Sequence, residues 1–382
     1  MPTLESNKTV SVNWELEIKH STGSWGGTFS LSQFYYLILA YNQEDDYNRH
    51  AKAKIARIDN GKIIEIYETK SYLCTPTIDK NQDLYVCTYG AYNSTLKRSD
   101  RNRLFKIDPD GVVIWEYLLD TGVTTKPVMY QDSIVVYNYD YMESSKCGVL
   151  YRFNENGSIV WKKLLNGNAL TQPLILTFEG QDYLGLNLFD RMLVLDMNGN
   201  IFRDKKIGHP VGHGSYIDGN KGFYACINPN LIYLNLDLDI IWVYKPECGF
   251  VSHPPSLDSH GNLYCMLTGK RMVSLDSKGK ERWIVETGGD IGYYPIVLAN
   301  GDILVVTEGN SEKKASQIQS NTYLEIFSID GTKLMKNELP GYVLKAMQCA
   351  NGTIFIATGC KRIFSHKHQF RNSIKVFSIS IT

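Results

Sequence analysis

Three stretches decide the reading: KIDPDGVVIWEYLL (106–119), RFNENGSIVWKKLL (152–165) and SLDSKGKERWIVET (274–287). Each begins at the end of a short strand. Each then makes a polar turn containing Gly and continues as a second strand with Trp four residues after the Gly. Asp or Asn three residues before a Gly, between β-rich runs, is hairpin chemistry. The short polar side chain caps the turn and the Gly supplies the backbone freedom it needs.

Weaker copies complete the series. RIDNGKIIEIYET (57–69) has Glu65 at the Trp position, VLDMNGNIFRDKKI (194–207) has Arg203, and FSIDGTKLMKNEL (327–339) has Met335. YLNLDLDIIWVYKP (233–246) keeps Trp242 but has Leu238 for the Gly. From 65 through 115, 161, 203, 242, 283 and 335 the steps are 50, 46, 42, 39, 41 and 52, a period near 45. A second hairpin precedes each of these, as in CTPTIDKNQDLYVCTYG (74–90), TKPVMYQDSIVVYNY (125–139) and SHPPSLDSHGNLYCMLTG (252–269). Two hairpins per repeat make a four-stranded sheet. A four-stranded sheet every 40–50 residues is β-propeller spacing.

The C-terminal unit, about 341–382, stops after SIKVFSISIT (373–382), one strand short. At the other end VSVNWELEI (10–18) is a strand without a unit, with Trp14 where the motif has Trp. The expectation is an all-β chain forming a single eight-bladed β-propeller of four-stranded antiparallel blades over residues 1–382. In it, strand 10–18 completes the last blade and protects its edge.

The Asp-x-x-Gly-x-x-x-Trp hairpin at Asp108/Gly111/Trp115, Asp276/Gly279/Trp283 and, with Asn, Asn154/Gly157/Trp161 resembles the quinoprotein-like (PQQ-like) propeller repeat. The resemblance runs from about residue 10 to 382. It implies this fold, with each Trp packing one blade on the next. It also points to two kinds of relative, quinone-cofactor dehydrogenases and non-enzymatic assembly scaffolds. The dehydrogenases' adjacent-cysteine pair is absent, since no two of the eight cysteines are neighbours. No cofactor and no metal are assigned.

Composition limits the function classes. Forty basic and forty acidic residues cancel, which argues against a wholly basic nucleic-acid binder. No run approaches 18 consecutive apolar residues, so no membrane-spanning helix is expected. The first twenty residues lack the basic start and apolar core of an export signal. Scattered thiols in such a chain suggest a reducing, cytoplasmic setting.

Loops that connect the blades, or the second and third strands within one, meet on one face, where propellers carry function. The residue before the Pro of each first hairpin, or its equivalent, should face the channel mouth. It reads Thr75, Lys126, Gln172, His213, His253, Tyr294 and Lys345, after Gly26 in the first unit. That ring has no acid and suits an anionic ligand. The second-to-third-strand loops are long in units one to three and in seven and eight, and short in four to six. Two are basic: Arg98, Arg101 and Arg103 in the second unit, and Arg362 and Arg371 in the eighth. The main expectation is a cytoplasmic binding or scaffold protein using this loop-walled, partly basic face for a macromolecular partner. The alternative is an enzyme acting on an anionic small molecule at the channel mouth. There Lys126, Lys345, Thr75 and Gln172 would hold the ligand, and His213, His253 and Tyr294 would move protons.

Overall fold

The computed structural model describes residues 9–19, 27–29, 35–41, 52–59, 61–69, 72–89, 103–120, 123–139, 147–169, 171–188, 191–207, 215–218, 222–251, 253–290, 292–309, 312–314, 317–319, 321–349, 352–359, 362–364, 369–371 and 373–381. Among them regular structure is entirely β. Eight antiparallel sheets follow one another along the chain, the first seven with their strands in sequence order from one edge to the other and the eighth with the N-terminal strand added beyond its last. In the second and third sheets the first strand is split in two around a proline: Tyr72–Leu73 and Thr77–Ile78, then Val123–Thr124 and Val128–Tyr130. The eighth sheet comprises Tyr342–Gln348, Ile354–Gly359, Ser373–Ile381 and the N-terminal strand Val10–Lys19. Val10–Lys19 pairs antiparallel with Ser373–Ile381, Val10 against Ile381 at one end and Lys19 against Ser373 at the other.

The core lies between sheets. Eight apolar clusters each join two neighbours. One of them packs Ala56 and Ile58 of the first sheet with Ile18, Phe355 and Val376 of the eighth. The middle strands read as continuous apolar runs because both faces are covered, as in Ser133–Tyr139 and Leu263–Leu267. The fourth strands alternate, being half-covered. They leave residues such as Ile114, Val160 and Ile240 exposed.

The repeated motif now has a physical account. In the Asp108 turn, the carboxylate Oδ1 accepts from the N–H of Asp110 at 3.0 Å and of Val112 at 2.8 Å, which pins the hairpin. Each Trp reaches over the corresponding turn of the next sheet. The indole N–H of Trp115 donates to the Glu155 carbonyl at 2.9 Å, Trp161 to Met197 at 2.9 Å, and Trp283 to Ile329 at 3.0 Å. The turn Gly lies beneath the indole. At Gly157 φ is +85° and a Cβ would stand 2.7 Å from Trp115; at Gly279 φ is +77° and the distance to Trp242 would be 2.6 Å. Glycine is therefore needed twice at these positions, for its backbone conformation and for the room its missing side chain leaves.

One feature of the loops differs from expectation. The second-to-third-strand connections of the seventh and eighth sheets pair with each other. Glu312–Lys314, Gln317–Gln319, Arg362–Phe364 and Gln369–Arg371 form a separate four-stranded sheet. No helix among the described residues is long and apolar enough to cross a membrane.

Candidate functional site

The inner strands of a propeller line its central channel, and strand register ranks the ring residues by height along it. In the second sheet Ile78 pairs with Leu84, and three residues before Ile78 is Thr75. The same count gives Lys126 from the Met129–Ile134 pair, Tyr294 from Val297–Ile303 and Lys345 from Gln348–Ile354. Gln172 is exposed and directly precedes Pro173, as Lys126 precedes Pro127. His253 does not keep the register: counting back from Leu257–Leu263 reaches Pro254. A double proline, Pro254–Pro255, moves the histidine one residue along, to the level of Cys74. There its carbonyl accepts from the Cys226 thiol at 3.4 Å. His213 lies outside the described residues.

Lys126 is fixed from both sides. The Thr125 N–H donates to the Tyr137 carbonyl at 2.9 Å. The Thr77 hydroxyl of the neighbouring sheet donates to the Pro127 carbonyl at 2.6 Å. The tether repeats where Ser256 donates to the Pro295 carbonyl, beside Tyr294. Lys345 follows a bulge between Val343 and Lys345 and pairs with Ala357. Burial holds the Lys126 amine below the ordinary lysine value, with an opposite-signed influence from Cys74. Burial first, and the Lys126 charge second, push the Lys345 amine down to about 8. Tyr294 is partly exposed and its ring lies 4.2 Å, centroid to centroid, from that of Tyr293.

Two other lysines, one buried and one exposed, are matched to carboxylates. Lys106 lies 3.1 Å from Asp83 and 3.3 Å from Asp79. Burial opposes its charge, but hydrogen bonds with Tyr85 and Asp83 hold its amine above the ordinary value. Lys333 lies 2.6 Å from the fully buried Glu325 carboxylate, which also accepts from the Gly288 N–H.

On the loop face, Arg98 and Arg101 lie outside the described residues. Arg103 begins a third strand and pairs with Glu116 of the adjoining strand at 2.6 Å, so its charge is matched within its own sheet. Arg362 and Arg371 stand opposite each other in the additional sheet. The sequence reading saw these connections only as long loops. Their short polar segments carry no alternation from which mutual pairing could have been read. Among the described residues seven cysteines are in no disulfide, and no group of three or more His, Cys, Asp or Glu could hold a metal ion.

This arrangement is that of a β-propeller, and its repeated hairpin resembles the PQQ-like one. Residues 81–187 match the family model described as outer membrane protein assembly factor BamB. Solved structures similar over nearly the whole chain are propellers as well. BamB from Moraxella catarrhalis superposes with a TM-score of 0.54 at 13% identity, covering 97% of each chain. The Dos1 propeller gives 0.60 at 9%, covering 95% of this chain and 93% of that one. The C-terminal WD40 domain of Sif2 gives 0.59 at 9%, covering 97% and 98%. At such identities the likeness is one of fold. No curated protein matches the sequence.

Proposed function

We propose that this chain is a cytoplasmic binding or scaffold protein, a single propeller that holds a macromolecular partner on the face where its second-to-third-strand connections emerge. The observation that carries the reading is the additional sheet made by residues 312–314, 317–319, 362–364 and 369–371. Connections that only closed a hairpin could be as short as residues 268–270 in the sixth sheet. Two long connections from neighbouring blades that pair with each other make a platform on a rigid scaffold, the usual setting for a recognition surface. The basic residues in its strands, Arg362 and Arg371, favour an acidic partner surface. The matched family's description as an outer membrane protein assembly factor agrees with a scaffold role in general terms.

The test is site-specific photo-crosslinking in the native host. A crosslinker at Ile318 or Ile363 should capture one discrete protein that a crosslinker at Gly180 or Gly301, in first-to-second-strand turns on the opposite face, does not. Equal capture from both faces, or none from the platform, would contradict the reading.

A further inference from the structure

Each of the eight propeller sheets ends in an outer strand that, among the described residues, pairs on one side only. Such an edge leaves a row of backbone N–H and C=O groups able to take up another strand, and proteins blunt it with bulges and charged side chains. All eight outer strands have a bulge near the start. Seven of them also carry charge, as Glu116 does in Val113–Leu118 and Lys162 in Ile159–Asn166. The outer strand of the fifth sheet, Ile240–Tyr244, reads IIWVY and has none.

Its side chains divide between two tasks. Trp242 and Tyr244 engage the next sheet: the indole N–H donates to the Ser277 carbonyl at 3.2 Å and the phenol to Glu281 at 3.1 Å. Ile240, Ile241 and Val243 are each more than half exposed. One exposed aliphatic side chain is ordinary. Three together on an uncharged edge of strong β-formers make a surface suited to pairing with another strand.

The flanking charges select the occupant. Asp239 precedes the strand and Lys245 follows it, and both are exposed. Set antiparallel against a second copy of itself about Trp242, the strand places Ile241 opposite Val243 and Ile240 opposite Tyr244. Each Asp239 then stands opposite the other copy's Lys245, so unlike charges meet at both ends. Parallel pairing in register would put Asp239 on Asp239 and Lys245 on Lys245, like charges that oppose it. Asp239 already bridges to Lys205 of the fourth sheet at 2.8 Å, but its side chain is 64% exposed and has room for a second cation.

We propose that Ile240–Tyr244 is the contact surface of a homodimer, in which the outer strands of two fifth sheets pair antiparallel across a twofold axis. Each copy offers one such strand, so the pairing closes at two and does not propagate. Backbone hydrogen bonds supply the affinity, and the three aliphatic side chains of each copy specify the fit. Five residues a side is a small contact, which places the association among weak, reversible ones. The surface lies on the rim of the propeller and not on the platform, and the two readings stand or fall separately.

The experiment is sedimentation velocity of the full chain over rising concentration, with circular dichroism to check that every variant keeps the fold. Wild type should pass reversibly from monomer to dimer. Val243→Lys gives the strand the charge that the other seven have and should weaken dimerisation about tenfold or more. Val160→Lys, at an exposed position in the outer strand of the third sheet, should leave it unchanged. Lys245→Glu lies outside the strand and turns both end contacts into like-charge pairs. It should weaken dimerisation as well, and Asp239→Lys added to it should restore the dimer. A chain that stays monomeric at the highest concentration reached overturns the proposal. So does a dimer that Val243→Lys leaves intact, or one indifferent to Lys245→Glu.

Discussion

At the scale of the residue, the molecule is organised by one contact made repeatedly. An indole from one sheet covers a glycine in the turn of the next. Gly157→Ala should therefore suffer twice, from its φ of +85° and from a Cβ 2.7 Å from Trp115. Gly180→Ala shares the conformational problem, at φ +77°, but has nothing within 4 Å. Urea unfolding should show a loss of about 1 kcal/mol for Gly180→Ala and about 2–3 kcal/mol for Gly157→Ala. Equal losses would mean that the indole contact is not the constraint. Where the repeat departs from its pattern, the partner position departs with it. Arg203 stands in place of Trp and binds Asp237 with its Nε at 2.7 Å, in a turn where Leu238 replaces the Gly. That exposed pair should contribute little, under about 1 kcal/mol on Arg203→Ala. Trp161→Ala, which removes a large packed ring, should cost about 3 kcal/mol.

At the scale of the element, legibility followed locality. The hairpins were readable because turn chemistry and apolar runs are local signals. Asp108, Gly111 and Trp115 lie within eight residues of one another and state the whole device. The additional sheet was not readable. Gln317–Gln319 gains its meaning only by pairing with Arg362–Phe364, some 45 residues away, a contact that three polar-flanked residues cannot announce. The candidate site was partly legible. Proline landmarks found Lys126 and Tyr294, and failed at His253 because Pro254–Pro255 offers two landmarks where the register uses one. The mutual influence of Lys126 and Lys345 needed the third and eighth sheets to be brought together. A further element-scale prediction concerns the seventh sheet, where fully buried Glu325 is matched by Lys333 across the adjoining strand. Lys333→Met leaves that carboxylate without its cation. It should cost about 3 kcal/mol by thermal or urea unfolding. Lys80→Met, which breaks the exposed pair with Asp132, should cost under about 1 kcal/mol.

At the scale of the whole molecule, Lys345 ties stability to pH. Lys345 titrates near 8 in the folded chain against an ordinary 10.5. Between those values the unfolded chain holds a proton that the folded chain has released. Folding stability should therefore rise as pH increases from about 8 to 10.5. Lys345→Met should flatten that trend, as followed by chemical unfolding at pH 7, 8 and 9.5. A wild-type stability that falls steadily above pH 8, with no difference in the variant, would remove Lys345 as its source.

All of this depends on the eight sheets forming one propeller whose last sheet is completed by the first strand. The most direct test is the double variant Ser11→Cys/Ser380→Cys, since Ser11 and Ser380 are paired neighbours across Val10–Lys19 and Ser373–Ile381. Mild oxidation should give an intramolecular disulfide between those two positions, identified by peptide mass spectrometry, in a chain with unchanged circular dichroism and a raised unfolding midpoint. Failure of the two cysteines to join, or their joining only between separate chains, would contradict the account at its foundation.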